Sequence, residues 1–288
     1  MFGIGGISDP AGEARGMPGG DSRSTPSRLD ALLVERGLAE NRSRAQALIM
    51  AGAVRVGGEV VMKAGFRAPP GSELSVEPLR QSTYVSRGGE KLAHALDEFG
   101  IKVWDRECLD AGASTGGFTD VLLRRETRRT IAVDVGYGQL DWSLRNDPRV
   151  FVMERTNVRH LSGGDLPFAP DLLVADLSFI SLAMALENLL STTPSISEAV
   201  LLVKPQFEAG PERVSRGGLV RDATARAAAV HKVIKEFEAQ GFGTVSLARS
   251  PVAGRRAGNV EYPLWLLRDA ETMLEEERIL AVTGGGEP

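Results

Sequence analysis

Cysteine, histidine and long apolar runs are scarce in this chain. Cys108 is the single cysteine, so no disulfide can form within the chain and a reducing compartment is expected. The three histidines, His94, His160 and His231, lie far apart and give no zinc-ligand spacing, so we predict no metal site. No apolar run approaches the roughly 20 residues that span a bilayer. The first residues lack the charged and apolar regions of a signal peptide. These absences favour a cytoplasmic protein.

Charge is unevenly distributed along the chain. The 288 residues carry a net charge of −4, which does not indicate a nucleic-acid binder as a whole. Between Arg23 and Arg80, however, nine basic residues stand against six acids, a local excess of +3. A locally basic segment in an acidic chain indicates a polyanion-binding module.

Residues 27–78 have the pattern of a small α+β unit. Leucines at helical spacing predict one helix in 29–38, and a second helix over 43–50 should stop at Gly52. The segment 54–61 (VRVGGEVV) predicts two short strands around a Gly-Gly turn.

This unit resembles the S4 RNA-binding domain. The matching residues are RLD at 28–30, GLA at 37–39, SR at 43–44, GAV at 52–54, VGG at 56–58 and Lys63. The resemblance implies that basic side chains of the two helices and the following turn contact RNA backbone. Its candidates are Arg28, Arg42, Arg44 and Lys63. The alternative for each one is a solvated surface charge.

Composition and the alternation of predicted helices and strands divide the chain into segments. We predict a disordered Gly-, Pro- and Ser-rich extension at 1–26, the S4-like domain at 27–79, a linker at 80–84, a large domain at 85–270 and a tail at 271–288. In the large domain, apolar strands are predicted at 107–111, 130–134, 150–153, 172–176 and 200–204. Helices between them and a final hairpin at 244–250 and 260–267 predict a doubly wound, mostly parallel α/β sheet.

A glycine-rich turn follows the first of these strands. The segment 110–118 (DAGASTGGF) leads into a helix, and its small residues permit close approach of a ligand to the backbone. A dinucleotide-binding turn would need G-x-G-x-x-G. Here the first two glycines are four apart and Asp110 precedes them. An acid would repel a pyrophosphate but suits a cationic ligand, so we predict S-adenosylmethionine.

The cofactor-binding candidates extend from this turn to the next strands. Asp134 ends the second strand, where an acid can accept from ribose hydroxyls, and Glu154 and Asn157 could border the adenine. The predicted set is Asp110, Gly112, Ala113, Ser114, Gly116, Gly117, Phe118, Asp134, Val135, Glu154, Asn157 and Asp176.

Two lysines and two acids are candidates for chemistry. Asp176 and Lys204 each end a predicted buried strand, and the carboxyl ends of strands in an open sheet face the ligand crevice. Lys91 and Glu261 cannot be placed by that argument, and each residue alone could be a surface ion-pair partner. A lysine near an alcohol oxygen can stabilise developing negative charge or, with a lowered pKa, take its proton.

These four residues carry a second resemblance. Lys91, Asp176, Lys204 and Glu261 match in order the K-D-K-E tetrad of the FtsJ-like ribose 2′-O-methyltransferases. With the S4-like unit in front, residues 27–270 resemble the TlyA family, whose members also carry the name hemolysin A, and most of all its longer actinobacterial type. The motifs are VSRGG at 85–89, DAGASTGGFT at 110–119, DVGYGQL at 134–140, DLSFISL at 176–182, VKPQFE at 203–208 and GNVEY at 258–262.

The resemblance implies a Rossmann-like class I methyltransferase fold and 2′-O-methylation of cytidine in 23S ribosomal RNA, for some members also in 16S. It further implies sensitivity to capreomycin-type antibiotics, ribosomal subunits as partners and Arg87 as a further RNA contact. We expect a monomer. The alternatives are a non-catalytic RNA-binding protein, a membrane-active hemolysin and a small-molecule O-methyltransferase.

Overall fold

The chain forms two units, Met1–Leu79 and Arg80–Pro288. The computed structural model describes residues 26–50, 52–61, 63, 65–76, 83–215, 217–254 and 258–284. The predicted extension lies outside the described residues except for Pro26, and so does most of the predicted linker.

The first unit is a helical hairpin followed by short strands. In chain order it contains β1 (Ser27–Arg28), α1 (Leu29–Glu35), α2 (Arg42–Met50), β2 (Val54–Val56), β3 (Glu59–Val60), β4 (Arg67–Ala68) and β5 (Leu74–Val76). β2 pairs with both β3 and β5, and β1 pairs with β4. The predicted Gly-Gly hairpin is confirmed: Gly57 and Gly58 have φ of +59° and +85°, which suits a tight two-residue turn.

A buried acid organises the helical hairpin, and no sequence pattern assigned it a role. The Asp30 side chain is inaccessible to solvent. It accepts hydrogen bonds from Arg28 Nε at 3.0 Å, Arg42 Nε at 3.1 Å and Gln46 Nε2 at 2.9 Å. The Arg28 guanidinium, by this hydrogen bonding, holds the pKa of the carboxyl well below its usual range. Asp30 thus joins β1, α1 and α2.

The second unit is an α/β domain. Its helices are α3 (Gly88–Phe99), α4 (Gly117–Arg124), α5 (Trp142–Arg145), α6 (Leu182–Thr192), α7 (Pro205–Glu208), α8 (Ala223–Glu238) and α9 (Glu276–Gly284). Its strands are β6 (Glu107–Ala111), β7 (Arg129–Val133), β8 (Val150–Met153), β9 (Leu172–Ala175), β10 (Glu198–Val203), β11 (Phe242–Leu247) and β12 (Tyr262–Arg268).

These strands form a sheet in the order β11-β12-β10-β9-β6-β7-β8. β12 is antiparallel to β10 and β11, and the strands from β10 to β8 are parallel. The predicted parallel sheet with a final hairpin is therefore confirmed. The chain order reverses between β6 and β9, so the crevice beside their carboxyl ends is the expected ligand position.

Both faces of the sheet are buried, which explains its continuous apolar strands. Leu173 and Leu201 face the cluster that contains α6 and α8, whereas Leu172 and Val200 face the cluster that contains α3 and α4. Cys108 is fully buried in the second cluster, as its position in a core strand predicted.

Two predicted boundaries need correction. Tyr84, assigned to the linker, packs against the α3–α4 cluster, and the Arg124 guanidinium lies 5.2 Å from its ring centroid. The predicted tail contains α9, whose Ile279 and Val282 are buried in the α6–α8 cluster. Both segments belong to the second unit because they cover apolar surface that would otherwise face water.

Asp30→Asn should weaken the helical hairpin of the first unit, because the neutral amide is a weaker acceptor for two guanidinium groups. We expect faster hydrogen exchange in α2, measured by mass spectrometry on the full chain. The exposed acid Glu40 provides a matched control, since Glu40→Gln makes the same charge change. Equal exchange in both variants would remove Asp30 from this role.

Candidate active site

A cavity of about 530 Å³ lies at the carboxyl ends of β6, β9 and β10 in the second unit. Its volume is in the range typical of small-molecule and cofactor sites. The four residues predicted to be catalytic line it, as do five further residues predicted to bind the cofactor. Those five are Gly112, Ala113, Ser114, Gly117 and Phe118.

The glycine-rich turn forms one wall of the cavity, and at two of its positions a side chain larger than that of glycine would collide with neighbouring backbone. Gly112 has φ of +85°, and a Cβ there would lie 2.6 Å from the carbonyl oxygen of Asp176. A Cβ on Gly117, the first residue of α4, would lie 2.8 Å from the backbone nitrogen of Gly89. The turn therefore packs backbone to backbone against both the Asp176 loop and the start of α3.

Asp134 holds this turn in place. Its Oδ2 accepts from the Ser114 N–H at 2.8 Å, and its Oδ1 accepts from the Gly136 N–H at 2.6 Å. The half-buried carboxylate thereby fixes Ser114, a non-glycine residue at φ of +49°, against the end of β7. The acid predicted for ribose hydroxyls thus also orders the glycine-rich turn.

Asp110 lies beneath the turn rather than at the cavity. It is fully buried, its Oδ2 accepts from Thr119 Oγ1 at 2.7 Å, and its Oδ1 has no hydrogen-bond partner among the described residues. Burial raises the pKa of its carboxyl to about 7. Asp110 is not among the residues that line the cavity, and its contact with the cofactor stays a prediction.

The other predicted cofactor residues also lie outside the cavity lining. Gly116 packs against Leu144, and Val135 is exposed. Glu154 accepts from the Gly138 N–H at 2.8 Å and pairs with Arg145. Asn157 accepts from the Arg159 N–H at 3.0 Å and so caps a short 3₁₀ turn.

The four predicted catalytic residues form a row of alternating charges. Lys204 Nζ lies 2.5 Å from Asp176 Oδ1, and Lys91 Nζ lies 3.8 Å from Asp176 Oδ2. Lys91 Nζ also donates to Glu261 Oε2 at 2.5 Å. Lys91 comes from the first turn of α3, and the other three flank β9, β10 and β12. The structure thus brings together residues that are distant in the sequence: Lys91 and Glu261 are 170 residues apart.

Burial makes this row more than a surface ion-pair network. Lys91, Lys204 and Glu261 are 7%, 8% and 3% exposed. Charges buried to this extent are costly unless each one is paired. Here two ammonium groups and two carboxylates alternate, so every charge has an opposite neighbour.

Two further polar side chains shape the cavity, and neither was among the sequence candidates. Ser178 accepts from Lys204 Nζ at 2.9 Å. Asn259 is 3% exposed; its Oδ1 accepts from the Val220 N–H at 2.8 Å and its Nδ2 donates to the Gly218 carbonyl at 2.7 Å. Both residues stand inside the motifs at 176–182 and 258–262, but no spacing rule marks a lone serine or asparagine as a positioning group.

The predicted RNA contacts differ in their surroundings. Arg28 and Arg42 are engaged with Asp30, although their side chains remain 44% and 58% exposed. Arg44 and Lys63 are exposed. Arg87 lines the cavity, and its guanidinium donates to the Ala253 carbonyl at 3.1 Å.

Comparison with known proteins agrees with this architecture. A family described as FtsJ-like methyltransferase matches residues 84–268, and the S4 domain matches residues 27–74. The "16S/23S rRNA (cytidine-2'-O)-methyltransferase TlyA" of Mycobacterium tuberculosis is 48% identical over 86% of this chain and 92% of its own length. The chain belongs to the TlyA family of FtsJ-like methyltransferases.

Other relatives match most of the chain. A Bacillus subtilis protein described as "Putative rRNA methyltransferase YqxC" is 44% identical over 90% of this chain and 93% of its own. The solved structure of a "Putative hemolysin from Streptococcus thermophilus" superposes with a TM-score of 0.70 at 37% identity, covering 91% of this chain and 96% of that one. Among the described residues of this TlyA-family chain, no helix is long and apolar enough to cross a membrane.

Asp110 should give the stability of this TlyA-family protein a characteristic pH dependence. Its pKa is about 7 in the fold, against 3.8 for an ordinary carboxyl. Between these values the folded protein keeps a proton that the unfolded chain releases, so this group lowers the free energy of unfolding as pH rises from about 4 to about 7. Asp110→Asn keeps a carbonyl for Thr119 and should flatten that fall, as measured by chemical denaturation across this range. Parallel pH curves for the two proteins would contradict the assignment.

Proposed function

We propose that this chain is an S-adenosylmethionine-dependent 2′-O-methyltransferase that acts on cytidine ribose in ribosomal RNA, in 23S and also in 16S. The observation that carries the proposal is the charged row Lys204–Asp176–Lys91–Glu261 beside a glycine-rich turn. It stands in a chain 48% identical to a protein described as a 16S/23S cytidine-2′-O-methyltransferase. The activity and the two RNA targets are carried over from that relative.

The residues at the cavity fit S-adenosylmethionine. Gly112, Ala113 and Ser114 present backbone without bulky side chains, and Phe118 adds an apolar surface. Asp134, half-buried beside the cavity, supplies negative charge for a ligand with a sulfonium and an ammonium group, whereas Asp176 at the cavity is paired with Lys204 and Lys91. When bound, the cofactor supplies an electrophilic methyl group and leaves as a neutral thioether, a chemistry that needs no metal.

Lys204 is the group that we assign to the ribose oxygen. One N–H of its ammonium donates to Ser178 Oγ, and Asp176 Oδ1 lies 2.5 Å away on another side. An ammonium has three N–H groups, and Ser178 Oγ accepts from one of them, so Lys204 can also donate to an oxygen in the cavity. An ammonium fixed in this way stabilises negative charge that develops on the attacking oxygen, while the hydroxyl proton leaves to solvent.

Lys91 and Glu261 complete the electrostatics. Lys91 faces the second oxygen of Asp176, and Glu261 in turn faces Lys91. The Asp176 carboxylate therefore has a cation on each side, so that it orients Lys204 instead of moving toward solvent. The row of charges thus fixes the position of the Lys204 ammonium, the group assigned to the ribose oxygen.

The first unit is assigned to RNA binding, supported by its match to the S4 domain and by the excess of basic residues between Arg23 and Arg80. Arg44 and Lys63 are exposed and suit phosphate contacts, whereas Arg28 and Arg42 must share their guanidinium groups with Asp30. A ribosomal target would require a cytoplasmic location. Capreomycin-type sensitivity would follow from methylation of both ribosomal subunits. The cytoplasmic location and the antibiotic sensitivity both stay predictions.

Lys204→Ala should lower methyl transfer by roughly 100-fold or more, because preorganised electrostatic stabilisation is typically worth that much. The transfer of labelled methyl from S-adenosylmethionine to ribosomal subunits and to naked rRNA measures it. Calorimetry should show that cofactor affinity survives. Lys235→Ala, a change of the same kind at a 75% exposed position on α8, is the control. Undiminished turnover in the Lys204 variant would remove this lysine from the mechanism.

Arg44→Ala should weaken RNA binding and reduce its salt dependence, because each phosphate that the protein neutralises adds about 0.7 to 0.9 to the slope of log K against log salt. Filter binding across a salt series measures the slope. Arg128→Ala, which alters a 56% exposed arginine at the amino end of β7, should leave it unchanged. If the Arg44 variant keeps the wild-type slope, Arg44 is a solvated charge.

A further inference from the structure

A buried carboxylate outside the charged row links two of the loops that carry it. Glu208 is 3% exposed and is the last residue of α7, the short helix that begins directly after Lys204. Its Oε1 accepts from the backbone N–H of Leu182 at 2.9 Å. Leu182 is the first residue of α6, and the loop before α6 carries Asp176 and Ser178.

This hydrogen bond caps the amino-terminal end of α6 with a side chain from another segment of the chain. The first N–H groups of a helix have no partner within the helix, and the helix dipole favours a negative charge there. The residue before α6, Ser181, provides no side-chain cap for it. Glu208 therefore supplies a cap that would otherwise come from the local sequence.

The same two segments meet at two other points. Lys204 contacts both Asp176 and Ser178, at 2.5 Å and 2.9 Å. The rings of Phe179 and Phe207 lie with their centroids 5.1 Å apart. The hydrogen bond from Leu182 to Glu208 is thus the last of several contacts between these two segments, which begin at the cavity. It fixes the position at which the loop that carries Asp176 ends and α6 begins.

We propose that Glu208 is a positioning residue for methyl transfer, which by capping α6 holds Asp176 and Ser178 at the distance that orients the Lys204 ammonium. The inference rests on the proposed function. The Glu208 side chain is not part of the described cavity lining and has no hydrogen bond or ion pair with the four charged residues, so its effect must pass through the backbone segments that it links.

The hydrogen bond, rather than the charge, should be what matters. Burial raises the pKa of Glu208, and a carboxyl in either protonation state can accept from the Leu182 N–H. Lys232 of α8 lies 3.7 Å from Oε2 and is the nearby cation. A glutamine keeps the accepting oxygen in place without the charge, whereas an aspartate keeps the charge and withdraws the oxygen by one methylene.

The experiment compares three substitutions at this position. We expect Glu208→Gln to retain kcat within a few-fold, and Glu208→Asp and Glu208→Ala to lower kcat by roughly 10- to 100-fold with KM for RNA unchanged, as misplaced catalytic groups do. Glu236→Ala removes another acid facing Lys232, at 3.6 Å, without touching α6, and should leave kcat unchanged. Equal kcat for the glutamine and aspartate variants, whether high or low, overturns the proposal; this comparison stands even where the alanine variant does not fold.

A second readout separates this inference from the proposed function. Hydrogen exchange over residues 176–182, measured without substrate, should rise in Glu208→Asp and stay near wild type in Glu208→Gln. If wild-type protein methylates no rRNA, the proposed function fails while the exchange result still tests the cap. If wild-type protein is active and exchange is the same in both variants, the cap fails alone.

Discussion

The carboxylate of Asp176 lies between two ammonium groups, and the site is arranged around that contact. Lys204 faces one of its oxygens and Lys91 the other, with Glu261 on the far side of Lys91. The charges alternate and sum to zero, and three of the four side chains are nearly inaccessible to solvent. Removal of Asp176 would leave Lys204 without an ion-pair partner, and removal of Lys91 would leave Glu261 without one. The row therefore depends on four chain segments that meet at one place.

The sheet and the glycine-rich turn bring those segments together. β9 and β10 are adjacent and parallel, so Asp176 and Lys204 leave neighbouring strand ends on the same side. Gly112 lets the turn touch the Asp176 backbone, and Asp134 holds the turn from its other side. The proposed cofactor wall and the charged row are therefore one packed structure: a shift in the turn would move the carboxylate that orients Lys204.

Periodicity and strand-end geometry were sufficient to predict much of this architecture. The bounds of the strands at 107–111 and 150–153 are as expected, but β8 lies at the sheet edge and is only partly buried, so its predicted burial is wrong. The crevice rule put Asp176 and Lys204 together. Lys91 and Glu261 came only from family resemblance, since no local rule brings the start of a helix to the start of a distant strand. Asp30, Asn259 and Glu208 were not identified because their partners are backbone groups or distant side chains. The burial of Asp110 beneath the turn was not foreseen, because sequence shows that an acid is near a turn but not on which side of the backbone it lies.

The position of the transferred methyl group tests the central claim most directly. After reaction with rRNA, digestion to nucleosides and mass spectrometry separate methylation of the ribose from methylation of the base. An alternating buried row with one lysine directed at an alcohol oxygen predicts 2′-O-methylcytidine as the product. A methyl group on a base, or none in RNA from active, cofactor-binding protein, would contradict the account.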